Sequence, residues 1–442
     1  MHDGAMLWFY RLLFIPALLV IAPRYLLRMR KRGGYRAHFG HRFGIYENVP
    51  ARSADSAPRV WLQAVSVGEV LAIGPLLEGL RGDGVEVYLT TTTSTGYQLA
   101  VERYRELTIG VGYFPIDWWR FSVRAWDRID PDMVILTEGE RWPEHLHQAG
   151  QRGVPVVCIN ARLSDRSFER MKFSRAVAGL VTTGITRFLP GSAEDAARFA
   201  ALGVPNAKIK TTGNIKLDVQ IPAITDPERV QLRKELGLAE PLMLLGSSTW
   251  PGEEEALVQT WKTAREAGVR CSLLLVPRHV ERREEIERLL ASAGVRSHFR
   301  SRGTAMGEVD VAVADTTGEL RRLTQLADVV FVGKSLPPHS EGQTPVEAAA
   351  LGKPILFGRG MTNFREIARD LVARGAARGV SDPSELTRLT LKLLRESEQR
   401  AVMSQAAAAW RKDNGGALFR TLAVLREELQ KIRVRAETER RR

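Results

Sequence analysis

The feature that most constrains this chain is an alternation. After a Pro/Ser/Ala-rich stretch at 49–58, the apolar runs VWLQAVS (60–66), VEVYLTTT (85–92), MVILT (133–137) and VPVVCIN (154–160) alternate with helix-length periodic segments. The pattern breaks at DVQIPAITDPERV (218–230), which reads as a linker. It restarts with LMLLG (242–246), SLLLVP (272–277), VDVAVAD (309–315), VVFVG (329–333) and PILFG (354–358). Continuous apolar strands separated by helices imply parallel sheets covered on both faces. The expectation is therefore α/β, with two Rossmann-like doubly wound domains, 33–217 and 231–434, facing a cleft, and 435–442 as a basic tail. Ligands of such sheets bind beyond the carboxyl ends of strands. The turns leaving the strands should carry the chemistry, in the cleft between the domains.

Composition excludes other classes. A chain of 442 residues, 44% hydrophobic and 26% charged, suits two or three folded domains rather than disorder or a fibre. Cys158 and Cys271 lie far apart in strand-like runs, so neither a disulfide framework nor a C-x-x-C metal site is available. The formal net charge of +13 raises nucleic acid or an anionic membrane as a partner. Residues 1–44 hold +7 of it, leaving +6 for the other 398.

Next to that basic cluster, residues 6–22 are apolar apart from Arg11, and no cleavage site follows. Residues 1–32 are expected to form a membrane-anchoring helix with a basic flank. In one mode Arg11 snorkels and 4–23 cross the bilayer, with Arg24, Arg28, Arg30, Lys31 and Arg32 on the cytoplasmic side. The longest charge-free stretch, 12–23, is short against the ~20 residues of a spanning helix. In another, the helix lies in the interface with Trp8, Phe9 and Phe14 inserted. A third reading docks it on the protein itself.

Several turns carry candidate chemistry. In AVSVGEVLAIGPLLEGL (64–80), Glu69 begins an amphipathic helix at a strand end, where it is either a general base or a residue complementing the helix dipole. In TEGERWPEH (137–145), Glu138 and Glu140 are two apart, so both enter the site or both pair with Arg141 and Arg162. GSSTWPGEEEA (246–256) puts Ser247 and Ser248 between strand and helix, where free backbone N–H groups suit a phosphate. Arg278 and His279 follow another strand, and a guanidinium there can hold a phosphate. ADTTGEL (314–320) and SEGQTPVEAAALGKP (340–354) are further strand, loop and helix junctions, and together these turns favour a nucleotide. No Walker, GxGxxG or G-x-S-x-G motif occurs. His145 and His147 lack the spacing of a helical zinc pair, so no metal is expected. Trp118 and Trp119 are expected at a domain edge or in the core.

The order of these turns resembles the 3-deoxy-D-manno-octulosonic acid (Kdo) transferase family of lipopolysaccharide synthesis. The likeness runs from GYRAHFGHRFG (34–44) through AVSVGEV, TTTTSTGYQLA (90–100), EGERWP (138–143), INARLSDRS (159–167), TGNIKLD (212–218), LVPRH (275–279) and GQTPVEAAALGKPILFG (342–358) to NFREIA (363–368). It implies a GT-B glycosyltransferase with CMP-Kdo as donor and the lipid A precursor as acceptor, working by inversion at the cytoplasmic face of the inner membrane. CMP-Kdo would be a substrate, with no cofactor, and anionic lipids rather than nucleic acid would be the further partner. The resemblance also implies Glu69 as base and Glu138 as a second essential carboxylate. Ser66, Gly68, Thr95 and Gly96 would face the acceptor. Lys216, Ser247, Ser248, Arg278, Thr316, Thr317, Gly318, Glu319, Thr344 and Glu347 would face the donor, with Glu347 on the ribose. The chain departs from the family at Gln63, where a His is usual, and at Thr344, in place of an Asn. A same-fold enzyme acting on another nucleotide sugar, such as an epimerase, and a charge-driven membrane or nucleic-acid binding module are the competing readings.

Overall fold

The computed structural model describes residues 2–32, 38–47, 49–52, 57–219 and 221–440. Residue 33, residues 34–37 of the GYRAHFGHRFG stretch and the tail residues 441 and 442 lie outside them. The chain divides into unit 1, residues 1–218 with 416–442, and unit 2, residues 219–415.

In unit 1 the strands β1 (Arg59–Gln63), β2 (Glu86–Thr91), β3 (Gly110–Tyr113), β4 (Met133–Thr137), β5 (Val156–Ala161) and β6 (Arg187–Pro190) form a sheet in the order β3-β2-β1-β4-β5-β6. All pairings are parallel. The order reverses between β1 and β4, the switch point of a dinucleotide-type sheet. Side chains alternate across the sheet, so β1 sends Val60 and Leu62 into one core, beside Leu76, Leu77 and Leu80. Trp61 enters the other, with Trp126 and Leu146. Two buried faces explain why this strand reads as a continuous apolar run.

Unit 2 holds β7 (Leu242–Thr249), β8 (Cys271–Pro277), β9 (Ser297–Phe299), β10 (Val311–Val313), β11 (Val329–Val332), β12 (Ile355–Gly358) and β13 (Ala377–Val380). Their order is β13-β12-β11-β7-β8-β10-β9, again all parallel, with the reversal between β7 and β11.

Two expected boundaries change. Residues 226–230 are not linker but the start of the helix Asp226–Glu235, where Thr225 and Glu228 form a capping box. Residues 416–434 belong to unit 1 and not to the second domain. The helix Ala417–Arg440 buries Leu422, Val424, Leu425 and Leu429 in the core around β1 and the helix Gly74–Gly82. Asp218 accepts hydrogen bonds from the backbone of Gly416 (3.0 Å) and Leu418 (2.8 Å), so the outgoing and returning chain meet.

The expected membrane-spanning helix is overturned. Residues His2–Arg32 are helical, but no helix among the described residues is long and apolar enough to cross a membrane. Arg11 does not snorkel. Its guanidinium reaches both oxygens of Glu144, at 2.8 and 3.0 Å, and that carboxylate is fully buried. The Tyr10 hydroxyl donates to Asp117 at 2.7 Å, and Phe14 stacks on Trp118. Asp117 also accepts the first free N–H groups of the helix Pro143–Arg152, from Glu144 (3.0 Å) and His145 (2.9 Å). One face is thus docked on unit 1, while Trp8, Phe9, Leu12, Leu19 and Val20 remain exposed. The side chains of Arg24, Arg28, Arg30, Lys31 and Arg32 lie outside the described residues.

Candidate functional site

In unit 1 the loop after β1 turns at Ser66, which caps the helix Val67–Ala72. Glu69 sits three residues later and is 8% exposed. Its Oε2 accepts from the backbone of Val65 (2.9 Å) and from the Thr137 hydroxyl at the end of β4, and its Oε1 accepts from the Ser66 hydroxyl (3.0 Å). The capping role and a position at the switch point therefore coexist. A carboxylate oxygen has two lone pairs, and Oε1 uses one of them here. Gln63 is tied to Thr90 (2.6 Å) and Thr92 (3.0 Å), holding β1 against β2. Gly68 and Thr95 are exposed beside this turn. Gly96 leaves room for the cap of its own helix, Ser94–Tyr104, since a Cβ there would lie 2.8 Å from the capping Thr93 hydroxyl.

Glu138 and Glu140 reach this region, but not by extended alternation. Glu138 has φ 51, a left-handed turn that ends the strand geometry the spacing assumed. Neither carboxylate is taken by Arg141, whose Nη1 donates instead to the carbonyls of Glu138 and Arg162. Glu138 forms an ion pair with Lys216, and Glu140 accepts from the Trp142 indole (2.7 Å). Lys216, expected against the donor, thus belongs to unit 1. It is carried there by a loop fixed through Asn160, which donates to Asn214 (3.1 Å) and accepts from the backbone of Ile215 (2.9 Å). Burial, then the negative charges of Glu69 and Glu138, hold the Glu140 carboxyl above its ordinary range against the pull of Trp142 and Arg141. Cys158 and His145 are core residues; burial pushes the His145 imidazole down to about 3.

In unit 2, β7 bulges at its carboxyl end, where the register slips between Ser247 and Thr249 and Ser248 takes φ 52. The expected free N–H cradle differs from the observed one. Glu253, the first residue of its helix and 1% exposed, accepts from the backbone of Trp250 (2.9 Å), Lys334 (2.8 Å), Ser335 (2.8 Å) and Leu336 (3.1 Å). Arg278 is exposed just past β8, its backbone bonded to Thr249 (3.1 Å), and its guanidinium has no partner among the described residues. Thr316 donates to Glu319, which also meets Arg300 (3.4 Å); Gly318 has φ 86 and Thr317 is exposed. Thr344 accepts from the backbone of Val346 (3.2 Å), and Glu347 faces Arg321 at 3.7 Å.

Sequence reasoning missed Thr137, Asn160, Glu253, Trp250 and Lys334. One structural signal gathers two of these, Asn160 and Lys334, with two residues the sequence did single out. Among the described residues, the non-glycine residues at positive φ include Glu138, Asn160, Ser248 and Lys334. These four lie at the carboxyl ends of β4, β5, β7 and β11, and such strain of about 1–3 kcal/mol each collects at functional sites.

Residues 37–219 match the family model described as 3-deoxy-D-manno-octulosonic-acid transferase (kdotransferase). The chain is 35% identical over 420 residues to a 3-deoxy-D-manno-octulosonic acid transferase from Bordetella pertussis, covering 91% of this chain and 94% of that one. It is 31% identical over 428 residues to the one from Haemophilus influenzae, covering 95% and 96%. Among solved structures, a UDP-GlcNAc 2-epimerase from Neisseria meningitidis superposes with a TM-score of 0.53 at 14% identity, over 84% of this chain and 100% of that one. That likeness shows the fold alone, a two-sheet α/β architecture of the GT-B kind.

Proposed function

Because the chain belongs to the 3-deoxy-D-manno-octulosonic acid transferase family of lipopolysaccharide biosynthesis, and is an enzyme that transfers Kdo, we propose that it moves Kdo from CMP-Kdo onto a hydroxyl of the lipid A precursor with inversion. The observation that carries this reading is the Glu69 carboxylate at the end of β1, held by three donors with one lone pair left on Oε1.

In this mechanism the acceptor hydroxyl, beside Ser66, Gly68, Thr95 and Gly96, gives its proton to Glu69 as its oxygen bonds to the anomeric carbon of Kdo. The bond from that carbon to the phosphate oxygen breaks, and its electron pair leaves with CMP. The transition state gains oxocarbenium character, as in glycoside hydrolysis. Glu138, neutralised by Lys216, stays at the same sheet end as the second carboxylate. In unit 2, Arg278 stabilises the charge that grows on CMP, with Ser247, Ser248 and the 316–319 turn around the nucleotide and Glu347 on the ribose. Glu69→Gln should lower kcat by roughly 10²–10⁴ and leave CMP binding within two-fold, measured by transfer assay and calorimetry. Near-normal turnover in that variant overturns the assignment.

The lipid acceptor calls for a membrane surface, and we read the exposed apolar face of the helix His2–Arg32 as a peripheral contact with an anionic bilayer on the cytoplasmic side of the inner membrane. Trp8, Phe9, Leu12, Leu19 and Val20 support this, followed in sequence by five basic residues.

A further inference from the structure

We propose that Lys334 binds an anionic group of the donor, a role that rests on the nucleotide-sugar reading above. The residue lies just past β11, which neighbours β7 at the switch point of the second sheet. The backbone of Gly333 bonds to Ser247 (2.8 Å), and a Cβ on Gly333 would lie 2.4 Å from the Ser248 carbonyl oxygen, so the two strand ends are in contact.

Three observations single this lysine out. Its backbone is held at φ 57, next to Ser248 at φ 52, so two strained non-glycine residues border the place where open parallel sheets take their ligands. The strain is imposed from below: the buried Glu253 carboxylate accepts from the N–H groups of Lys334, Ser335 and Leu336, which fixes the loop and therefore the root of the side chain. Finally, the Lys334 Nζ lies 4.3 Å from the centroid of the Trp250 ring, whose indole N–H is buried with no acceptor among the described residues. His279 and His339 pack their edges on the same indole, at 4.9 and 5.6 Å. A lysine whose ammonium is held over such a ring loses less freedom when it binds than a solvated one.

Among the described residues the ionic partner of Lys334 is Glu341, at 3.4 Å, with 44% of that side chain exposed. An exposed pair of this kind contributes little and gives way to a better anion. Arg278 stands at the end of β8, on the other side of β7. CMP-Kdo brings two anions, a phosphodiester and a sugar carboxylate, and this edge offers two cations on strands flanking β7.

The test is calorimetric titration of the full chain with CMP and with CMP-Kdo. Lys334→Gln should weaken CMP-Kdo about ten-fold, Lys334→Arg should keep most of the affinity, and Glu341→Gln should not weaken it. Equal losses toward CMP and CMP-Kdo support the proposal with phosphate as the anion; loss toward CMP-Kdo alone supports it with the carboxylate. Unchanged affinity of Lys334→Gln for both ligands overturns it. A melting curve for each variant separates lost binding from lost fold, and Lys334→Arg, which keeps the charge, must bind better than Lys334→Gln if the charge is what acts. If the unsubstituted protein binds neither ligand, the donor reading falls, and this proposal with it.

Discussion

Glu253 is the residue on which the second strand-end region turns. Gln cannot replace a carboxylate that accepts four backbone N–H groups without orphaning donors, because its amide presents two hydrogens where acceptors are needed. Burial raises its carboxyl above the ordinary range, and those four hydrogen bonds act against the shift. Glu253→Gln should therefore lower stability by about 3 kcal/mol, read as an earlier melting transition, and should weaken CMP binding as the Lys334 loop loosens; an unaltered melt would show that the loop is held by other means. The sequence exposes such residues unevenly. Glu69 and Arg278 are legible because each follows its strand within a few residues. The bond from the Lys334 backbone to Glu253 joins positions 81 apart, and the three consecutive glutamates in EEEA read alike, although Glu253 and Glu254 are both buried and Glu253 is the one that accepts from this loop.

At the scale of elements, the helix His2–Arg32 shows what hydropathy leaves out. The apolar run and the basic flank are plain in the sequence, yet the docked face is set by Tyr10 and Arg11, whose partners Asp117 and Glu144 lie more than a hundred residues on. Burial raises the Asp117 carboxyl to about 6, while hydrogen bonds from Tyr10 and two backbone groups oppose it. A carboxyl raised on folding means that the native state binds more protons than the unfolded chain between pH 4 and 6, so this group's contribution falls as pH rises through that window. Tyr10→Phe should therefore cost about 0.5–1.5 kcal/mol below pH 5, where Asp117 is neutral. Above pH 7 the cost should grow to about 1.5–3 kcal/mol, because the lost bond is then charge-assisted. Parallel melting curves of the two proteins across pH would contradict this. Elsewhere the strands are well marked, since runs buried on both faces leave an unbroken apolar signature, whereas the capping box at Thr225 hides inside a stretch that Pro and Asp make look like linker.

For the whole molecule, the charge distribution and the exposed face of the first helix lead to one measurable behaviour. Replacing Trp8, Phe9 and Leu12 by Ser, which leaves Tyr10 and Arg11 in their docked pairs, should reduce co-sedimentation with anionic vesicles several-fold. Binding of the unsubstituted protein should fall further with salt, over a Debye length of about 8 Å at 0.15 M. Vesicle binding indifferent to both changes would dismiss the peripheral contact. The two-sheet plan itself is legible from the repeated alternation; the return of the last helix is not, because its apolar spacing fits either core equally well. That return has a consequence for synthesis. Unit 1 begins with the first residues but its core takes in Leu422, Leu425 and Leu429, while unit 2 is contiguous from 219 to 415. On the ribosome, the half started first is the half finished last: the second sheet can close while the first still waits for its final wall.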